Sequence, residues 1–304
     1  MNEVILNADV EDSDKRVDLF IAEKIKDRSR SFIQKLLKNE AVKVNAKIVR
    51  ANYKLKAGDE IYIEIPEDKE LSVEAEDIPL DIIYEDEDML IINKPKGMVV
   101  HPAAGHYSGT LVNAIMFHCK GNLSGINGVL RPGIVHRIDK DTTGALVVCK
   151  NDKAHRALAS QLEVHSISRK YLAIVYGKFK EAEFRIETTI GRHPIDRKKM
   201  APNVKNGKKA ITDVKVLKEL NGYSLIECTL HTGRTHQIRV HLSYIGHPLL
   251  GDEVYGPKKC AVKGLTGQCL HAWLIGFIHP STGEYVEFYA PVPSYMQELL
   301  KKLA

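Results

Sequence analysis

Three stretches of this 304-residue chain gather side chains able to do chemistry. The first is Gly133-Ile-Val-His-Arg-Ile-Asp-Lys-Asp-Thr-Thr-Gly144, which runs into the apolar segment Ala145-Leu-Val-Val-Cys149. Asp139 lies within three residues of Arg137, Lys140 and Asp141. A carboxylate beside cations stays ionised and is available as a nucleophile. The competing reading is a turn that uses Asp and Thr for local caps before Gly144. The second stretch is His231-Thr-Gly-Arg-Thr-His-Gln-Ile-Arg-Val-His-Leu242, continuing Ser-Tyr-Ile-Gly-His-Pro-Leu-Leu-Gly-Asp252. On a helix, Ile238, His241, Leu242 and Ile245 make an apolar face, and Arg239 falls about 100° from Ile238, on its flank. A flank position points an Arg either into a cleft bordered by the core or into solvent. The third stretch is Ser168-Arg-Lys-Tyr-Leu-Ala-Ile-Val-Tyr-Gly177, where Tyr171, Ala173 and Val175 share one strand face. Tyr171 there either packs in the core or presents its ring to a base and its hydroxyl to a reacting proton.

Other chemistries find no support. The five cysteines form no CxxC pair and read as reduced thiols rather than a disulfide framework or a zinc site. His231, His236 and His241 recur every five residues, a step that does not return to one helix face, so no metal site is expected. No P-loop pattern and no GxGxxG after a strand is present, so no nucleotide or other cofactor is expected. The N-terminal residues have no positive n-region and no long apolar core, which excludes a signal peptide. The longest stretch free of Lys, Arg, Asp and Glu, Gly97 to Cys119, contains Pro102 and three His, so it does not read as a membrane span. A cytoplasmic protein is expected.

Positioning these stretches requires two kinds of architecture. Residues 14–26 carry helical spacing at Val17, Ile21 and Ile25 after the caps Ser13 or Asp14. Ser29 can cap a second helix with apolar pairs Phe32/Ile33 and Leu36/Leu37, whose other face shows Arg28, Arg30, Gln34, Lys35 and Lys38. Val42 to Val49 reads as two short strands around an Asn turn, and Ile61 to Ile65 as a strand ended by Pro66. Residues 66–80 are acidic, aperiodic and flanked by prolines, the signature of a linker. Beyond residue 81, strands are expected at 82–84, 89–93, 145–149, 171–176, 211–217, 224–230, 269–277 and 284–289. Helices are expected at 111–119, 153–164 and 234–245. There is no regular βαβ alternation, so an α+β domain with a mixed, mainly antiparallel sheet is expected.

Charge follows the same division. The formal net charge is only +5. Along the chain it runs −5 over residues 1–14, +9 over 15–56, −13 over 57–90 and +14 over 91–304. Two basic regions separated by acidic stretches suit a nucleic-acid partner. The stretch Arg192 to Lys209, with seven basic residues and one acidic, reads as a loop able to grip phosphates.

The N-terminal segment resembles the S4-like RNA-binding module, on Arg16-Val-Asp-Leu-Phe, Ser31-Phe-Ile-Gln-Lys-Leu-Leu, Val42-Lys-Val-Asn and Leu55-Lys-Ala-Gly-Asp. That resemblance implies a sequence-tolerant grip on structured RNA, with Arg28, Arg30, Gln34, Lys35, Lys38 and Lys43 as contacts. From about Ile82 the chain resembles the RluA/RluD-type pseudouridine synthases. The matching residues are Asn93 to Pro102, Gly109 to Ala114, Gly133 to Gly144, Arg169 to Ala173, Thr232 to His241, His247 to Asp252 and Leu270-His-Ala. Ile138 stands where Leu is more usual. The resemblance implies an S4-like domain over residues 1–75 (core about 14–65) and a catalytic domain over 76–304.

It also implies that Asp139 is the nucleophile, that Arg137 fills the gap left by a flipped nucleotide, and that Tyr171 stacks on the uracil and is a candidate for C5 proton transfer. Arg239 would pair with the catalytic carboxylate. Implied too are isomerisation of uridine to pseudouridine without metal or cofactor, a monomer, and large-subunit (23S) ribosomal RNA or the pre-50S particle as target. The rival expectations are a non-catalytic S4-domain RNA-binding or ribosome-assembly protein, and a hydrolase using Asp139 with Asp141 as second carboxylate.

Overall fold

The computed structural model describes residues 2–25, 30–65, 73–102, 107–128 and 131–304. The chain divides into two compact units, Met1–Leu71 and Ser72–Ala304.

In the first unit, β1 (Asn2–Asn7), α1 (Val17–Lys24), α2 (Arg30–Lys38), β2 (Val42–Val44), β3 (Lys47–Ile48) and β4 (Glu60–Ile65) follow in order. The sheet runs β1-β4-β2-β3, all antiparallel. Phe20 and Ile21 of α1 and Ile33, Leu36 and Leu37 of α2 share a core with Val42, Val44, Ile61 and Ile63. The β2–β3 turn places Asn45 and Ala46 at φ 47° and 62°, the geometry of a tight hairpin. Two local expectations fail. Helix α1 begins at Val17, with Arg16 at the cap position and no side-chain cap, because Asp14 takes a left-handed backbone instead. Strand β1 carried no signal, since its side chains are exposed or only half-buried. The expected cap Ser29 lies outside the described residues.

In the second unit the strands are β5 (Ile82–Glu85), β6 (Met89–Lys94), β7 (Thr143–Cys149), β8 (Ser168–Tyr176), β9 (Glu183–Arg192), β10 (Met200–Pro202), β11 (Lys208–Glu219), β12 (Tyr223–Leu230), β13 (Leu270–Ile278) and β14 (Tyr285–Tyr289). The helices are α3 (Leu111–His118), α4 (Asp152–Glu163), α5 (Gln237–Tyr244) and α6 (Ser294–Leu303). One sheet runs β10-β9-β11-β12-β8-β13-β7-β6-β5, with β14 also on β13. Every pairing is antiparallel except β7 with β13, so the expected mixed, mainly antiparallel α+β sheet is present.

Strand β7 is buried at all seven positions because both faces are covered. Leu146 and Val148 meet Leu111, Val112 and Ile115 of α3 on one face. Ala145, Val147 and Cys149 meet Ala154 and Leu158 of α4 on the other. Gly144, the second residue of this strand, has φ 109° where it pairs with Ala272 of β13. A Cβ there would collide with the Ala272 carbonyl. Glycine is thus required for the two strands to lie side by side.

The expected linker is shorter than residues 66–80. Residues 66–72 lie outside the described residues, but Val73 is buried in the core and Asn113 Nδ2 donates to the Glu74 carbonyl at 2.7 Å. A single Val among acids left no periodic signal of that packing. The basic stretch 192–209 is not one loop either. Met200–Pro202 pairs back onto β9, and Lys208 and Lys209 open β11. Helix α5 starts at Gln237, three residues later than expected, because His236 takes a left-handed φ of 57°.

Two outcomes test this frame. Gly144→Ala should cost about 2–4 kcal/mol, seen as a fall of roughly 5–15 °C in the unfolding midpoint. Burial pushes His136 down to about 3 and His101 and His241 down to about 4. Each is neutral in the folded chain and charges once unfolded, so the unfolded state binds more protons between those values and the ordinary value of 6.5. Stability should therefore fall as pH drops through 6.5 toward 4, measured as the melting midpoint against pH; a flat profile would contradict it.

Candidate active site

Strands β7 and β8 flank β13, and the loop entering β7 carries Asp139. That loop is tied down from beneath. Lys94, with no exposed surface, donates from Nζ to the carbonyls of Pro95 at 2.8 Å, Met98 at 2.9 Å and Lys140 at 2.9 Å. Burial pushes its amine down to about 7, while Asp141 and Asp139 oppose that fall. Three carbonyls match the three hydrogens of an ammonium, so the charged form satisfies the site. Gly97 N donates to the same Lys140 carbonyl, and Gln268 Nε2 donates to Thr142 Oγ1 at 3.0 Å. Thr142 N closes a turn onto the Asp139 carbonyl at 3.1 Å.

Helix α5 brings Arg239 to this loop. Its side chains are buried from Gln237 through Leu242, rather than on one face as the spacing suggests. Gln237 fixes the entry to the helix. Its Oε1 accepts from Thr232 Oγ1 and Arg234 N, and its Nε2 donates to the Ile211 carbonyl and Thr212 Oγ1. Arg239, 5% exposed, then spans two carboxylates. Nε and Nη2 donate to Asp252 Oδ2 and Oδ1 at 2.7 and 3.0 Å, and Nη1 donates to Asp139 Oδ2 at 2.9 Å. Asp252 Oδ1 also accepts from Val254 N and Tyr255 N. Burial works to raise Asp252, but Arg239 and those amides hold it below the ordinary carboxylate value. Burial opposes the charge on Arg239, yet the two carboxylates push its guanidinium upward. Among the described residues no hydrogen bond reaches Asp139 Oδ1.

A second contact comes from His236, whose Nε2 lies 3.8 Å from Asp139 Oδ2. Tyr255 Oη accepts from Met200 N and lies 2.8 Å from His236 Nδ1. The Tyr255 ring also lies under the Arg239 guanidinium, at 5.1 Å.

Asp139, His236 and Arg239 border a cavity of about 610 Å³, a size suited to one nucleoside-scale ligand. Arg137, Asp139, Tyr171 and Arg239, the four catalytic and base-flipping candidates, all line it. Arg137 is exposed and Tyr171 is 7% exposed. Burial and Asp139 push the Tyr171 hydroxyl up and Arg169 opposes them, which leaves a protonated phenol at rest. Four arginines line the cavity against two carboxylates, Asp139 and Glu163, an excess of positive charge that suits RNA. Asp141, the second carboxylate a hydrolase would need, packs instead beside Gly267 and does not line the cavity.

Sequence reasoning gave no role to Lys94, Arg169, His236, Asp252 or Tyr255. All but Tyr255 stood inside motifs already quoted. What was missing is pairing across distant segments, which spacing does not encode.

The first unit has its own polar centre. Asp18 is fully buried and accepts from Gln34 Nε2 at 2.9 Å, from Arg16 Nε at 3.0 Å and from Arg30 Nη2 at 3.0 Å. Burial works to raise it, but these three donors hold it at about 2. Arg30 and Gln34 are thus braced by an internal carboxylate, with the Arg30 side chain still 48% exposed. Lys35 and Lys38 are exposed, and Lys43 is half-buried with Nζ 6.0 Å from the Tyr62 ring centre. Arg28 lies outside the described residues.

Comparison with known proteins agrees with this arrangement. Residues 88–244 match the family described as RNA pseudouridylate synthase, and residues 15–61 match the S4 domain. An RNA pseudouridine synthase of Bacillus subtilis is 51% identical over 303 residues, spanning 100% of this chain and 99% of its own length. A ribosomal large subunit pseudouridine synthase D of Zymomonas mobilis is 48% identical over 297 residues, spanning 95% of this chain and 93% of its own. Human RNA pseudouridylate synthase domain containing 1 superposes with a TM-score of 0.58 at 25% identity, across 74% of this chain and 94% of that one. Among the described residues no helix is long and apolar enough to cross a membrane. With a matching family over half its length and relatives aligned almost end to end, the chain belongs to the RNA pseudouridine synthases that carry an S4 domain.

Proposed function

We propose that this chain isomerises specific uridines of large-subunit (23S) ribosomal RNA, free or in the pre-50S particle, with Asp139 as the nucleophile. The observation that carries the site assignment is the Arg239 Nη1 to Asp139 Oδ2 bond of 2.9 Å within a cavity that Tyr171 also lines. The target class is supported by the name of the Zymomonas mobilis relative, a ribosomal large subunit enzyme. Such a substrate implies the cytoplasm.

A uridine must leave its stack before a side chain reaches its glycosidic bond, at a cost of a few kcal/mol. Arg137, exposed at the cavity, is suited to enter the vacated space and offset part of that cost. Asp139 Oδ2 is held by Arg239, so Oδ1 faces the flipped nucleotide in a fixed orientation. Cleavage of C1′–N1 leaves the uracil inside the cavity, where it turns and rejoins C1′ through C5. Confinement supplies much of the rate, because a detached base that stays put reacts at high effective molarity. Tyr171 stacks on the ring, and its hydroxyl relays the proton, giving up its own hydrogen toward N1 as its oxygen accepts the one leaving C5. Residues 1–75 act as the S4 grip, through Arg28, Arg30, Gln34, Lys35, Lys38 and Lys43, and residues 76–304 as the catalytic domain.

Asp139→Asn should abolish tritium release from 5-tritiated uridine RNA, by about 10³-fold or more, with RNA affinity within roughly threefold; unchanged release would sink the assignment. Arg239→Lys cannot reach both carboxylates at once and should slow single-turnover conversion about 10²-fold. Chemical mapping of pseudouridines in ribosomal RNA, with and without the protein, should show a loss at specific 23S positions. A map that changes only in transfer RNA would replace the substrate.

A further inference from the structure

Arg169 differs from the other cavity arginines. Arg239 is fully paired, Arg234 donates from Nε to the Lys209 carbonyl at 3.0 Å, and Arg137 is exposed. Arg169 is only 8% exposed, yet among the described residues its Nε and Nη2 have no hydrogen-bond partner. It sits two residues before Tyr171 on β8, so both side chains project to the same face, and both line the cavity. Its charged neighbour is the Arg234 guanidinium, and among the described residues no salt bridge joins it to a carboxylate. Gly233 makes its room: a Cβ there would lie 2.6 Å from Arg169 Nη1, although Gly233 has no left-handed backbone that calls for glycine.

A buried cation with two idle donors lowers the stability of the free protein. Such a group makes physical sense where its acceptor arrives with the substrate. The reaction supplies one. When C1′–N1 breaks, its electron pair passes to the ring, and the detached uracil is an anion with charge spread over N1 and the carbonyl oxygens. That charge is discharged only when C5 bonds to C1′, C5 releases its proton and N1 takes one up. Neither Asp139 nor a neutral Tyr171 stabilises a negative ring, and Arg239 is already spent on two carboxylates.

We propose that Arg169 Nε and Nη2 receive a carbonyl oxygen of the flipped uracil and stabilise the negative charge the ring acquires as the C1′–N1 bond breaks. The proposal rests on Asp139 as the group that drives that cleavage. Preorganised donors aimed at developing charge, in a site closed to water, commonly contribute about 10²–10³ in rate.

The test is single-turnover conversion of the RNA in which mapping finds the pseudouridine, by Arg169→Met and Arg169→Lys, with uridine and 5-deuterouridine. Arg169→Met should be about 100-fold slower at saturating protein, with RNA affinity within roughly threefold and a melting midpoint equal to or above that of the parent. Its rate should show no deuterium effect beyond the parent's, since the damage precedes C5 proton loss. Arg169→Lys should recover about tenfold by restoring a charge without the fork. A full rate in Arg169→Met would overturn the proposal. So would weakened RNA binding with the saturating rate retained, which would make Arg169 a grip on RNA. A new primary isotope effect would overturn it in favour of action through Tyr171, and a lowered midpoint in both variants in favour of a structural role. Asp139→Asn run alongside separates the two readings: if it keeps turnover, the site assignment fails, whereas a dead Asp139→Asn beside a fully active Arg169→Met rejects Arg169 alone.

Discussion

One guanidinium between two carboxylates organises this catalytic unit. Arg239 is nearly inaccessible to water, Asp252 entirely so, and Asp139 is half-open to the cavity. Removing three charges from water is expensive, and their geometry must repay it. Here it does, with two parallel bonds from Arg239 to Asp252 and two backbone amides completing Asp252. Asp252 is the anchor, Arg239 the arm and Asp139 the working end. Breaking a buried pair of this kind typically costs about 3–5 kcal/mol, because the remaining charge is left uncompensated. The arrangement therefore resists drift, which suits the nucleophilic role proposed for Asp139.

The surrounding structure serves that chain of charges. Asp139 and Arg239 are 100 residues apart and arrive on different supports, a loop and a helix. Lys94 holds the loop through three carbonyls, and Gln237 holds the start of α5 through four polar contacts. Gly144 lets β7 lie against β13, which sets the loop over the strand neighbouring Tyr171. A non-catalytic protein of this fold would have no need to keep an Asp, the Arg bonded to it and a buried Tyr around one cavity. The chain is instead an RNA pseudouridine synthase, and the idle donors of Arg169 fit the uracil carbonyl proposed for them.

Much of this was legible in the sequence because it is local. Apolar alternation marked β4, and the uninterrupted run Ala145 to Cys149 marked a strand, which the fold covers on both faces. Asp139, Tyr171 and Arg239 came from motifs whose combination is specific. What escaped depends on contacts between distant segments. Strand β10 is short and the described side chains of β1 are at most half-buried, so both left little pattern. Helix α6 buries Met296 and Leu299 against Ile174 and Leu250, a partner choice invisible in one dimension. His236 takes a left-handed backbone that no helix pattern signals, and Asp252 gains meaning only beside Arg239. Arg30 and Gln34 looked like a free basic face, but buried Asp18 braces both.

The central claim is that Asp252 acts on catalysis only through Arg239. A double-mutant cycle tests it most directly, using single-turnover pseudouridine formation by Arg239→Lys, Asp252→Asn and the double variant. If the chain of charges is as described, the double variant should be about as slow as the slower single variant, with strong non-additivity. Losses that multiply across the two sites would contradict it, since Asp252 would then reach the reaction by some route other than Arg239.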